Sequence, residues 1–68
     1  MTIPELFAER RQTVARRAAW SYESMSRSLA EDAAEATAGG WTHWAAELRM
    51  FATIALIASR AELRESKP

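Results

Sequence analysis

The chain has 68 residues, with nine lysine and arginine residues against nine aspartate and glutamate residues, and it has no cysteine. The balanced charge gives no overall field toward nucleic acid or anionic lipid, and the missing thiols exclude disulfides and thiolate metal sites. A core in a chain this small rarely supplies more than about 3–5 kcal/mol, so association with protein is the main remaining source of stability.

Apolar residues make up 49% of the chain, and there are only two glycines and two prolines, which together predict an ordered helical protein. The N-terminal sequence MTIPELFAERR has no apolar run before its first charges, so we expect no signal peptide. The longest apolar stretch, residues 50–58, is too short for a membrane span, which needs about 20 residues. We therefore expect a cytoplasmic protein.

The first predicted helix covers about residues 3–37. Thr2-Ile3-Pro4-Glu5 matches the capping box that starts a helix. Serines at positions 21, 24, 26 and 28 weaken the middle of the segment, and Ser28-Leu29-Ala30-Glu31 could be a second capping box. The prediction is one helix bent near residues 21–28, with a split into two helices as the alternative. Its apolar residues follow one face at spacings of three, four and seven, and they are Ile3, Phe7, Val14, Ala18, Met25, Leu29 and Ala36.

Gly39-Gly40 is the clear helix breaker, because glycine takes the left-handed conformation that closes a last helical turn. A turn at residues 38–40 is followed by a second predicted helix over about residues 41–65. A connection this short makes the two helices antiparallel neighbours. The predicted fold class is all-α, a single helical-hairpin domain over residues 1–68.

The second helix is apolar on two sides. Six apolar residues follow one line, namely Trp41, Trp44, Leu48, Phe51, Ala55 and Ala58. Met50, Ile54 and Ile57 fall on another side, and a helix that is apolar on most sides is buried by more than one neighbour. We expect these three residues to form an oligomer interface in a four-helix bundle. A homodimer comes first because homodimers are the commonest soluble oligomers, and a different protein partner is the alternative.

Charge placement favours an antiparallel dimer. Basic residues are expected near the open end of the hairpin, namely Arg10, Arg11, Arg16, Arg17, Arg60, Arg64 and Lys67. Acidic residues are expected near the turn, namely Glu31, Asp32, Glu35 and Glu47. Two hairpins stacked with their turns at opposite ends would bring basic ends onto acidic ends. The alternative is that these charges lie on solvated helix faces, where each pair contributes about 0–1 kcal/mol.

The sequence gives little support for catalysis or cofactor binding. His43 is the single histidine, and no glycine-rich phosphate loop is present, so we expect no enzymatic activity and no cofactor. The best metal candidates are His43 with Glu47, four residues apart on one helix face, and Asp32 and Glu35, which the turn brings near. The alternative for His43 and Glu47 is a helix-surface pair.

Two other groups of residues are candidate contacts. Trp20 lies on a side of the first helix away from the apolar stripe, and with Arg16 and Arg27 it has the residue types enriched in binding hot spots. A singly exposed aromatic residue is the alternative. Four arginines, at positions 10, 11, 16 and 17, could instead contact nucleic acid phosphates. Trp41, Trp44 and Phe51 are expected to fill the bundle core near the turn rather than to stack on a ligand.

The functional expectation is a small non-enzymatic protein–protein interaction module, acting as an adaptor, cochaperone, small subunit or inhibitor. A nucleic-acid-binding regulator is the alternative, and a metal-binding helical subunit is a weaker one. In size and helix content the chain is similar to the small helical-hairpin cochaperones of type III secretion and to small phage-encoded regulators. That likeness implies a helical fold and a binding role, and it identifies no site.

Overall fold

The computed structural model describes residues 2–66, which form two α-helices and no strand. Helix α1 spans Ile3–Ala38 and helix α2 spans Thr42–Glu65. The two helices pack against each other along their lengths as an antiparallel hairpin, which confirms the predicted fold class. Both helices begin and end within one residue of their predicted bounds. Neither helix is long and apolar enough, over the described residues, to cross a membrane.

Helix α1 begins at the predicted capping box. The backbone N–H of Glu5 donates to Thr2 Oγ1 (3.4 Å), and the backbone N–H of Thr2 donates to Glu5 Oε2 (3.2 Å). From there the helix is uninterrupted through residues 21–28. The alternative of two helices is therefore wrong, and Ser28 lies inside the helix rather than capping a second one.

The turn closes α1 with a Schellman motif, in which backbone amides beyond the helix bond back to its last carbonyls. The Trp41 N–H donates to the Ala36 carbonyl (2.8 Å), and the Gly40 N–H donates to the Thr37 carbonyl (3.1 Å). Gly40 has φ 81°, so it supplies the left-handed conformation. Gly39 is right-handed, but a Cβ there would lie 2.9 Å from Cδ1 of Trp41. The two glycines are therefore needed for different reasons.

Small side chains form the contact between the helices. The buried positions of α2 repeat at alternating steps of three and four, and half-buried Tyr22, Ser26 and Leu29 complete the same repeat on α1. The buried residues are Ala15, Ala19, Ala33 and Ala36 on α1, and Ala45, Leu48, Ala52, Ala55 and Ser59 on α2. Leu48 is the one large apolar side chain among them. Because helix separation depends on the side chains at the contact, alanine and serine allow close approach of the two backbones. A seven-residue repeat also implies left-handed winding of the pair.

Two serines cross-link the backbones of the helices reciprocally. Ser26 Oγ donates to the Ala52 carbonyl (2.7 Å), and Ser59 Oγ donates to the Ala19 carbonyl (2.8 Å). Each helix therefore carries an alanine and, seven residues later, a serine that bonds the alanine of the other helix. A helical carbonyl has a second lone pair for such a bond. The two bonds set the register, with Ser26 opposite Ala52 and Ala19 opposite Ser59.

The large apolar residues predicted as the stripe of α1 mostly lie outside this contact. Phe7, Val14 and Met25 are exposed, whereas Leu29 and Ala36 at the turn end are at least partly buried. The predicted stripe assumed a straight α-helix. Along a straight helix, positions seven residues apart rotate by about 20° relative to each other, whereas the observed contact repeats every seven residues. The stripe and the contact therefore coincide only near the turn.

The hairpin is long and thin. Its principal extents are 57 × 13 × 11 Å and its radius of gyration is 16.2 Å, whereas a compact domain of this length has about 11 Å. Its accessible surface is 5374 Å², against about 4,300 Å² for a compact monomer of 7.6 kDa. Roughly 1,100 Å² more surface is therefore exposed than a compact fold of the same mass would leave.

The close approach of the helices predicts strong intolerance of larger side chains. Ala33 is 1% exposed, and we expect Ala33→Leu to lower the free energy of unfolding by about 1–3 kcal/mol because the added atoms force the helices apart. Ala34→Leu is the matched control, since Ala34 is exposed one residue along the same helix. Urea melts followed by circular dichroism at one protein concentration compare them. Equal midpoints for the two variants would contradict the packing described.

The turn makes a second prediction. Gly40→Ala should lower the free energy of unfolding by about 1–2 kcal/mol, because a Cβ is strained at φ 81°. Gly40→Asn should cost less, since asparagine tolerates the left-handed region better than alanine does. Thermal melts of the three proteins should rank glycine above asparagine above alanine. An alanine variant as stable as the parent would contradict the assigned turn conformation.

Candidate interaction surface

Contacts between the helices distinguish two sides of the hairpin. On one side Nη2 of Arg49 donates to Oγ1 of Thr37 (2.6 Å), so this side is held by a polar cross-helix bond. On the other side a groove of about 670 Å³ opens beside the turn. It is lined by Asp32, Glu35, Ala36, Trp41, Trp44 and Leu48.

The seven-residue repeat continues the groove side along the whole hairpin. Stepping back from Asp32 along α1 gives Met25, Ala18 and Arg11, and stepping forward from Trp44 along α2 gives Phe51 and Ala58. We call this side the groove face. Each of these two rows of residues, one on α1 and one on α2, is called a column. The large apolar residues of the groove face, in the columns or directly beside them, are Phe7, Val14, Met25, Trp44, Phe51 and Ile54.

All six large apolar residues of the groove face are exposed, with between 49% and 65% of each accessible. Among them, Trp44 and Phe51 were expected in a bundle core, and the hairpin alone does not bury them. Trp41 is 69% exposed and lines the groove. The groove face is therefore an apolar surface that spans both helices, with carboxylates of Asp32 and Glu35 at the turn end and Arg11 toward the other.

The predicted oligomer interface lies next to the groove face. Met50, Ile54 and Ile57 are 53%, 53% and 57% exposed, and they lie on the side of α2 that points away from α1. Ile54 joins this group to the groove face, while Met50 and Ile57 extend it around α2. One broad apolar surface therefore includes both groups.

Trp20 lies elsewhere, as the sequence predicted. It is 66% exposed and lines a second, shallower groove of about 430 Å³ with Arg16, Arg17 and Ser21. Arg27 follows Trp20 by seven residues, so it lies on the same side of α1 about 10 Å along the helix. The structure thus brings Trp20 and Arg16 together and places Arg27 beyond them.

The four arginines of the possible phosphate patch do not share one side. Arg16 and Arg17 lie beside Trp20, whereas Arg11 is in the column of the groove face. Arg10 precedes Arg11 by one residue and points away from the contact between the helices. All four are exposed. Lys67, which the sequence placed near them, lies outside the described residues.

The metal candidates form only a surface pair. His43 Nε2 and Glu47 Oε1 are 3.2 Å apart, with 90% and 40% of their side chains exposed, and among residues 2–66 this is the one close contact between a basic side chain and a carboxylate. Asp32 and Glu35 line the groove instead. The described part of the chain has no group of three histidine, cysteine, aspartate or glutamate side chains that could hold a metal ion.

The groove beside the turn was missed by sequence reasoning, which placed its tryptophans in a bundle core and considered its carboxylates as the acidic end of a dimer or as weak metal candidates. A usable signal was present, since alanines and serines repeat every seven residues in both helices and predict the contact between them. No family model, no curated protein and no solved structure matches this chain.

Proposed function

We propose that this protein is a non-enzymatic protein-interaction module, which acts by covering its groove face with another protein surface. The observation that carries the proposal is the placement of the apolar residues, with small ones inside the contact between the helices and large ones outside it. Alanines fill the contact between the helices, whereas phenylalanine, tryptophan, methionine and isoleucine side chains lie outside it. Stable monomers usually bury these larger residue types.

The shape of the exposed surface also supports a protein partner. The six large side chains of the groove face lie on two antiparallel helices that pack side by side, so they present a broad and slightly concave surface rather than a pocket for a small molecule. Contiguous apolar patches of this kind mark interaction sites, and charged residues at their edges are typical of an interface rim. An adaptor, cochaperone, small subunit or inhibitor needs no more than such a surface.

The broad apolar surface that joins Ile54 of the groove face to Ile57 generates a test on the second helix. Replacing Ile54 and Ile57 with glutamate should abolish assembly and give a smaller, unfolded or aggregated species, because charges cannot be buried there without partners. The matched control is Ala46→Glu with Thr53→Glu, which adds the same charge at exposed positions toward the polar side of the same helix. Size-exclusion chromatography with light scattering and circular dichroism compares the three proteins. A folded I54E/I57E protein of unchanged mass would contradict the role of this surface in assembly.

Trp20 generates a separate test of a second contact. Because Trp20 is exposed on α1, Trp20→Ala should leave the helical circular dichroism unchanged while reducing recovery of the protein's partner from extracts of the source cells. Arg10→Ala, an exposed position on the same helix, is the control for a general surface change. A large loss of helicity would show that Trp20 stabilises the fold, and unchanged recovery would remove it from the interface.

Nucleic acid binding is the second candidate function, favoured by the groove in which Arg16, Arg17 and Trp20 meet. Arginine with an exposed aromatic ring is the combination that binds single-stranded nucleic acid through phosphates and base stacking. A mobility shift that weakens steeply with salt and is lost in W20A would support this function over protein binding.

A further inference from the structure

We infer that the groove face is covered by a second copy of this chain, packed head to tail, so that the turns lie at opposite ends of the dimer. A two-fold axis perpendicular to the helices then packs α1 on α1 of the other copy and α2 on α2. In this arrangement Arg11 of each copy lies beside Asp32 and Glu35 of the other. The inference rests on the proposed function and names its partner.

The exposed area matches what such a dimer needs. The hairpin exposes roughly 1,100 Å² more than a compact monomer of its mass. A standard protein–protein interface buries about 800 Å² on each partner. One face-to-face contact with a second hairpin would therefore bring the exposed surface of each chain into the normal range.

The charges on the groove face attract each other when α1 of one copy packs antiparallel to α1 of the other. The residues involved form one column on α1, in which each residue follows the last by seven positions. That column reads Arg11, Ala18, Met25 and Asp32 in steps of seven, with its base at one end and its acid at the other. Antiparallel packing of the column against its own copy brings Arg11 to the level of Asp32, with Glu35 one turn further along. The structure gives Arg11 no ion pair within the described residues, so its guanidinium is available.

Side-chain size on the α1 column also favours this orientation. Reversal of this column places Met25 at the level of Ala18. A large residue thereby meets a small one, which is how facing layers interdigitate without voids.

The opposite orientation, with both turns at one end, loses these advantages. It packs α1 on α2 of the other copy, which places Met25 against Phe51 and Ala18 against Ala58. It also gathers Asp32, Glu35 and Glu47 of both copies at one end, where like charges repel. The head-to-tail arrangement separates these carboxylates by the length of the hairpin.

Charge reversal tests the proposed pairing. Arg11→Asp and Asp32→Arg, made separately, each place two like-charged pairs in the dimer and should raise its dissociation constant about tenfold or more. An equimolar mixture of R11D and D32R should re-form a dimer, because both pairs are attractive in the heterodimer. Sedimentation equilibrium of each variant and of the mixture measures these constants.

A closely matched control is available one residue away. Arg10 and Glu31 have the same charges as Arg11 and Asp32, but they precede them by one residue and lie off the groove face. R10D, E31R and their mixture should dimerise as the parent does. Equal weakening by R10D and R11D would overturn the specific pairing in favour of a general charge effect.

Cross-linking tests the orientation independently, since the chain has no native cysteine. Ser21 lies near the proposed two-fold axis, so two copies of S21C should form an intermolecular disulfide on mild oxidation. Ser28 lies seven residues further from the axis, which separates two S28C side chains by well over the roughly 7 Å that a disulfide can span. A disulfide in S28C but not in S21C would overturn the head-to-tail arrangement.

Self-association and binding to another protein can be tested separately. A wild-type chain that is folded and monomeric at high concentration would overturn the inference. The proposed function would then still stand if a purified partner bound the wild type and not I54E/I57E. A folded monomer whose groove face binds no protein would overturn both.

Discussion

The close approach of two helices through alanine and serine is the constraint on which the rest of this structure depends. Each alanine or serine in the contact contributes only one or two side-chain heavy atoms. Over most of its length the contact therefore has no room for leucine, phenylalanine or tryptophan. Leu48 enters it near the turn, beside Ala33 and Ala45. The larger apolar residues are therefore displaced to the flanks of the contact, where most of them are exposed.

That displacement also limits how much stability the hairpin has by itself. Hydrophobic stabilisation scales with the apolar area removed from water, and an alanine side chain contributes only one methyl group. The reciprocal hydrogen bonds from Ser26 and Ser59 fix which residues of the two helices face each other. They stabilise the hairpin only modestly, since a typical hydrogen bond contributes about 1 kcal/mol net. A chain of this size needs a further source of stability. The exposed groove face is the surface on which association would supply it.

The sequence predicted the helices well and the faces of α1 poorly, for a physical reason. The ends are set by local chemistry, the capping box at Thr2 and the left-handed turn at Gly40, which can be read from a few adjacent residues. The packed face of α1 depends on what the partner helix permits, and a search for large apolar residues selected Phe7 and Val14, which are exposed. The middle serines, taken as a weakness, include Ser26 at the contact. Only the matching repeat of small residues in both helices reveals this.

The groove face and the groove at Trp20 differ in how binding to them depends on the fold. The groove face is formed by both helices, so it can be covered only if the hairpin is intact, and its occupation is coupled to folding. The groove at Trp20 is formed by α1 alone, from Arg16 to Ser21, and it borders the proposed dimer contact at Ser21. In a two-fold dimer this groove would occur twice. A partner with two matching sites, such as a repeated protein surface, would then bind more tightly than one with a single site, because the second contact forms at a high effective concentration.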